Sequence, residues 1–143
     1  MRLTVHSDYS LRVLMYLAAF PDRLATIEQI ASTYGIPQNH LAKVVQTLAH
    51  HGFIETLRGR NGGIRLALPS QEITVGAVVR ATEENFDLVE CFRPENTCCV
   101  TPVCSLPGAL RDALEAFLHV LDEWTLADIV TNRRRWANLL TAN

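Results

Sequence analysis

The sequence predicts a mainly α-helical chain with one small β-hairpin. Three observations carry that expectation. Apolar residues recur at helical spacing through most of residues 7–50 and again through 106–124. Two short alternating runs flank a tip with three glycines at 53–68. A Pro- and Cys-containing stretch near 85–106 separates the hairpin half from the second helical half. The chain has 143 residues and 48% hydrophobic content, enough for one core plus an appendage or an element shared with a second copy.

The first helix is expected to start near Ser7 or Asp8, both good N-caps, with Leu11, Leu14, Met15, Leu17 and Ala18 on its buried face and Pro21-Asp22 ending it. Thr26-Ile-Glu-Gln29 reads as a capping box, opening a second helix from Ile27 to about Tyr34, with Gly35 as its stop. Ile36-Pro37 makes a tight turn. A third helix follows from Gln38 to His50, burying Leu41, Val44, Val45 and Leu48, and Gly52 ends it. Strands are expected at Phe53–Leu57 and Ile64–Leu68, joined by Arg58-Gly59-Arg60-Asn61-Gly62-Gly63. Thr74 caps a short helix running to about Ala81. Leu106, Leu110, Leu114, Phe117, Leu121 and Trp124 form a long apolar stripe, and a second capping box at Thr125–Asp128 opens one last short helix. The order helix, helix, turn, helix, hairpin is that of a winged helix-turn-helix. The organisation expected is residues 1–82 for that domain, 83–105 for a cysteine loop, and 106–143 for a long dimerisation helix with a C-terminal helix.

The net charge of −2 hides an asymmetry. Residues 1–70 hold seven Lys/Arg against four Asp/Glu, whereas 71–130 hold three against eleven. A local basic face is what attracts phosphate. The start of the third helix offers Gln38, Asn39, His40 and Lys43, whose side chains suit base edges and phosphates in a major groove. Thr26 opens the second helix, and Arg58, Arg60 and Asn61 sit on the wing beside Arg65, with an arginine suited to a minor groove. Double-stranded operator DNA is therefore the expected macromolecular partner. The Arg133-Arg134-Arg135 run reads as a solvated helix end. The exposed aspect of Phe117 and Trp124 points to pairing with a second copy, and a two-fold dimer matches two-fold operator half-sites.

All four cysteines, Cys91, Cys98, Cys99 and Cys104, lie in one loop. No signal segment is evident at the N-terminus, and the apolar run from Leu11 to Phe20 is too short to span a bilayer. A cytoplasmic setting, where thiols stay reduced, is therefore expected. On the residues alone the chemistry stays open. Structural zinc often uses C-x-x-C pairs with a nearby His, whereas the spacings here are C-x(6)-C, C-C and C-x(4)-C with no close His. A transient disulfide would make a redox switch. An iron–sulfur cluster tolerates wider spacing on a flexible loop. Cys98 and Cys99 are adjacent and point apart, so they are not expected to bind one centre together. No nucleophile–base pair, phosphate loop or paired carboxylates suggest an enzyme.

Taken together, T-V-H-S-D-Y-S-L-R at the start, I-P-Q-N-H-L-A-K-V-V-Q-T-L in the third helix, G-R-N-G-G-I-R-L-A in the wing and C-x(6)-C-C-V-T-P-V-C-S-L-P-G resemble the IscR/NsrR-type winged-helix regulators over essentially the whole chain. Within that group the likeness is to the nitric-oxide-sensing iron–sulfur repressors. It implies a homodimeric repressor whose cluster, 4Fe–4S with 2Fe–2S as a second form, is held by Cys91, Cys98 and Cys104, leaving Cys99 as an extra thiol. It further implies that Asp8, from the other subunit, supplies an oxygen ligand, with Arg12 one turn on to hold that carboxylate. Nitric oxide would dismantle the cluster and release the operator of detoxification genes. Two alternatives stand beside it. One is an IscR-like regulator of cluster supply, although Ser105-Leu-Pro-Gly108 lacks the His that IscR-type proteins place there. The other is a metal-free thiol switch.

Overall fold

The computed structural model describes residues 2–142. Seven α-helices and one two-stranded antiparallel sheet make a mainly α-helical winged helix-turn-helix, as the sequence predicts. Helix α1 spans Val5–Ala19, and its cap is Thr4, whose hydroxyl accepts from Ser7 N–H at 3.2 Å. The expected caps Ser7 and Asp8 instead lie within the first turn. Thr4 in extended backbone satisfies an orphan N–H of that turn, so Val5 and His6 can already be helical. Ser7 and Ser10 are fully buried. Ser10 is satisfied by donating to the His6 carbonyl at 2.8 Å.

Helix α2, Ile27–Tyr34, opens on the reciprocal capping box: Gln29 N–H donates to the Thr26 hydroxyl at 3.2 Å and Thr26 N–H to the Gln29 side chain at 2.9 Å. Gly35, at φ 63°, ends it in the left-handed conformation that glycine adopts most cheaply. Helix α3, Gln38–His50, buries the four residues expected, Leu41, Val44, Val45 and Leu48. Strands β1, Ile54–Leu57, and β2, Gly63–Leu66, pair with Ile54 opposite Leu66. Both are shorter than the alternation suggests. Phe53 is drawn into the core, and beyond Ala67 the chain turns at Pro69, which has no N–H to extend a ladder. The wing is anchored on its other side. Ile64 and Ala25 exchange both backbone hydrogen bonds, at 2.8 and 3.0 Å. A side chain at Gly63 would meet the Ala25 carbonyl at 2.8 Å, so this junction requires glycine.

Helix α4, Val75–Thr82, is capped by Thr74, and after the cysteine loop comes α5, Leu106–Asp122. The final segment differs from the single last helix expected. The Thr125–Asp128 capping box opens α6, Leu126–Ile129, and Asn132 then caps a separate α7, Arg133–Thr141, by accepting from Arg135 N–H at 3.0 Å. The arginine run thus opens a helix. Leu126, Val130 and Leu140 enter the main core with α1 to α3 and the wing, so the chain's end folds back onto its first domain. A smaller cluster of Val75, Val79 and Leu118 joins α4 to α5, with Phe117 packed against it. Phe117 is therefore half-buried, contrary to its expected exposure, whereas Trp124 is 51% exposed. Among the described residues no helix is long and apolar enough to cross a membrane.

Candidate nucleic-acid interface and cysteine loop

The turn Gly35-Ile36-Pro37 throws the start of α3 outward. Gln38, Asn39, His40 and Lys43 are all exposed, while the opposite face of the helix is locked into the core. No side chain caps this end, so its first N–H groups are open to an anion such as phosphate. The His40 ring lies 6.3 Å from the Tyr9 ring, tying the recognition surface to α1. Thr26 is exposed at the head of α2, with its oxygen engaged in the capping box.

On the wing, Arg58, Arg60 and Asn61 are exposed, and neither arginine forms an ion pair among the described residues. Arg65 differs. Its guanidinium pairs with Glu55 directly across the hairpin, which removes it from the free cations. Gly62 closes the tip, where a Cβ would lie 2.3 Å from the Leu57 carbonyl.

The four cysteines are free thiols. Cys91 is half-buried and Cys98, Cys99 and Cys104 are exposed. Among the described residues no three His, Cys, Asp or Glu side chains converge on a point suited to a metal ion. The loop nevertheless has internal order, which sequence reasoning did not anticipate. The Glu90 carboxylate accepts from Thr97 N–H at 2.9 Å and from the Thr97 hydroxyl at 2.8 Å. These bonds from Thr97 hold the Glu90 carboxyl below its ordinary range. Glu90 and Thr97 are the residues immediately before Cys91 and Cys98, so their bond staples together the chain beside those two thiols. Asn96 accepts from Cys98 N–H at 3.0 Å and donates to the Thr101 hydroxyl at 2.9 Å, which in turn donates to the Cys98 carbonyl at 2.8 Å. Cys98 is the better-fixed member of the vicinal pair. The available signal was a Glu and a Thr each preceding a cysteine.

Asp8 and Arg12 meet as their spacing suggests, at 2.9 Å and 3.2 Å through two contacts, both side chains being partly exposed. The guanidinium also lies 6.0 Å from the Tyr9 ring centroid and 5.9 Å from that of Tyr34. Asp8 joins no group of three potential ligands among the described residues.

Residues 3–132 match the Rrf2 family, described as iron-dependent transcriptional regulators. The chain is 53% identical over 142 residues to the HTH-type transcriptional regulator NsrR of Halalkalibacterium halodurans, covering 98% of this chain and 97% of that protein. It is 51% identical to the NsrR of Bacillus subtilis at the same coverage. Among solved structures, T. potens IscR superposes with a TM-score of 0.74 at 22% identity, covering 92% of this chain and 88% of that one, a likeness of fold. CymR, the global cysteine regulator of B. subtilis, superposes at 0.70 with 26% identity, covering 92% and 97%. The chain belongs to the Rrf2 family of iron-dependent transcriptional regulators, alongside its NsrR members.

Proposed function

We propose that the chain is a homodimeric, DNA-binding repressor acting in the cytoplasm, whose hold on its operator depends on an iron–sulfur cluster that nitric oxide destroys. Residues 1–82 carry the DNA surface, 83–105 the cluster loop, and 106–143 the dimer contact and the return to the core. Cys91, Cys98 and Cys104 would hold the cluster, most simply 4Fe–4S, with Asp8 of the partner subunit as the fourth ligand. When bound, the cluster supplies iron atoms open to nitric oxide, one of them ligated by oxygen rather than sulfur.

The donor set fits. The three proposed sulfur donors lie on one accessible loop as free thiols, none spent in a disulfide. The observation that supports the ligand choice is the Glu90–Thr97 staple, which joins the residues immediately before Cys91 and Cys98, while Asn96 and Thr101 hold the Cys98 backbone. Asp8 joins no group of three potential ligands among the described residues, which leaves it for a role towards the partner, and Arg12 pairs with its carboxylate. The chain's own task is to hold two loop arrangements of different helix spacing, because only a difference of that kind lets ligation change DNA affinity. On the DNA side, Gln38, Asn39 and His40 read base edges. Lys43, Thr26, Arg58, Arg60 and Asn61 hold phosphates and the minor groove. Promoters of nitric-oxide detoxification genes are the natural targets.

The test is an anaerobic visible spectrum of the purified protein titrated with nitric oxide, with operator binding followed in parallel. A broad visible band that bleaches as DNA is released is expected. A colourless protein after anaerobic reconstitution with iron and sulfide would overturn the reading in favour of a thiol switch.

A further inference from the structure

We infer that Glu83 is the positioning residue that transmits the state of the cysteine loop to the recognition helix α3. This deepens the proposed function and rests on it. Glu83 is the last residue of α4's C-terminal cap and the first of the loop, in extended backbone. One of its carboxylate oxygens accepts three hydrogen bonds from the start of α1: Thr4 N–H at 2.7 Å, the Thr4 hydroxyl at 3.1 Å and the Ser7 hydroxyl at 2.5 Å. Ser7 is fully buried and also receives the Thr82 hydroxyl at 2.8 Å, so the root of the loop and the first turn of α1 share one polar network. Between Thr4 and Ser7 on the same turn stands His6, whose Nε2 lies 3.2 Å from the Thr47 hydroxyl on α3. The path thus runs from Glu83 through the first turn of α1 to Thr47.

These contacts frame a cleft of about 650 Å³, with Glu83, Glu84 and Asn85 on one wall and Lys43, Gln46 and Thr47 of α3 on the other. Among the described residues no direct hydrogen bond joins α3 to the loop across that space, so movement of the loop root reaches α3 through α1. Phe86 and Leu3 also join the small apolar cluster around Val79. That contact is non-directional and keeps the segments close without fixing their angle. The charged hydrogen bonds of Glu83 are directional, and they set which way the first turn of α1 points. A pull on residues 84–91 therefore rotates the Thr4–Ser7 turn and, through His6, the exposed face of α3.

The experiment compares operator affinity of cluster-loaded and cluster-free protein for wild type, Glu83→Ala, Thr47→Val and the double variant. Coupled sites typically show ratios of roughly 5–150-fold. Glu83→Ala is expected to keep the visible spectrum and the cluster-free affinity while its ratio falls to about 1. Thr47→Val, which cuts the far end of the path, should lower the ratio too, and the double variant no further than the stronger single one. Hydrogen exchange of the cluster-free proteins supplies a second readout. Faster exchange in α3 around Thr47 on loss of Glu83 supports the coupling, and unchanged exchange there overturns it. An unchanged affinity ratio in both single variants also overturns it. If wild type takes up no cluster, the proposed function fails instead, and the exchange data alone decide the role of Glu83.

Discussion

Tyr34 closes α2 with its hydroxyl buried and without a hydrogen-bond partner among the described residues. Burial pushes its pKa up to about 12, with Arg12 pulling the other way and Tyr16 adding to the rise. A buried unsatisfied hydroxyl costs on the order of 1 kcal/mol, so Tyr34→Phe should raise the thermal midpoint by about 3 °C. A lower midpoint would show that the hydroxyl has a partner. Glu83 gives a pH-dependent expectation. Partial burial favours its neutral form, but hydrogen bonds from Ser7 and Thr4, with the nearby His6, outweigh this and hold its pKa below the usual carboxylate value. Its contribution is complete above the ordinary carboxylate range and is lost as pH falls through the lowered folded value. The difference in thermal midpoint between wild type and Glu83→Gln should accordingly be steady near neutrality and shrink below about pH 4. At the cysteines, single Ala substitutions at Cys91, Cys98 or Cys104 should abolish the visible band after reconstitution, and Cys99→Ala should retain it. A colourless Cys99→Ala protein would move the second ligand one residue along.

At the junction of α4 with α5 a glycine faces an ion pair. A Cβ at Gly76 would lie 2.0 Å from the Asp122 carboxylate and 2.9 Å from the Arg80 guanidinium that pairs with it. Val75 N–H also donates to the Trp124 carbonyl at 2.8 Å, and Leu126 N–H to the Ile73 carbonyl at 2.9 Å, so the end of α5 cannot simply slide away. The Asp122 and Arg80 contacts are with the ends of part-exposed, flexible side chains that can turn aside, and alanine is the better helix former, so Gly76→Ala should change the thermal midpoint little. Asp122→Ala alone should also do little, since exposed ion pairs contribute little. A large loss in Gly76→Ala that the double variant recovers would show that the carboxylate is held in place. This junction also marks how far the sequence could be read. Capping boxes at Thr26 and Thr125, the Gly35 stop and the buried face of α3 are local signals, and local chemistry decides them. Asp8 and Arg12 were legible for the same reason, being one helical turn apart. Ser7 looked like a cap because Ser is a good one, yet it is buried against Thr82, 75 residues away. The roles of Gly76 and Glu83 likewise depend on partners 46 and 76–79 residues distant, which periodicity does not reveal.

For the whole molecule, the proposed dimer needs a pairing surface, and the exposed face of α5 is the one that would let the regulator read a two-fold operator. One side of the helix turns Leu114, Phe117, Leu118 and Leu121 towards α4. The other exposes Leu106, Ala109, Ala113, Ala116 and Val120, which recur at three- and four-residue intervals, with exposed Trp124 just past the helix. Leu106 and Val120 are each 54% exposed, and the alanines between them permit close helix approach. A second copy of the same seam would bury this stripe by isologous pairing and present two α3 helices together. It would also set the acidic second half of each chain around the pairing helices, leaving the basic first half for DNA. Val120→Glu tests this without touching the core, because Val120 is exposed in the single chain and the variant monomer should fold normally. Two like charges would then face each other across the two-fold axis. Light scattering should report a monomer for the variant and, on the proposed pairing, a dimer for wild type. Operator affinity should fall by orders of magnitude, because each half-site must then be bound alone. The circular dichroism spectrum should be unchanged. If the variant remains dimeric, α5 is not the pairing surface, and the half-site geometry must be set by another face.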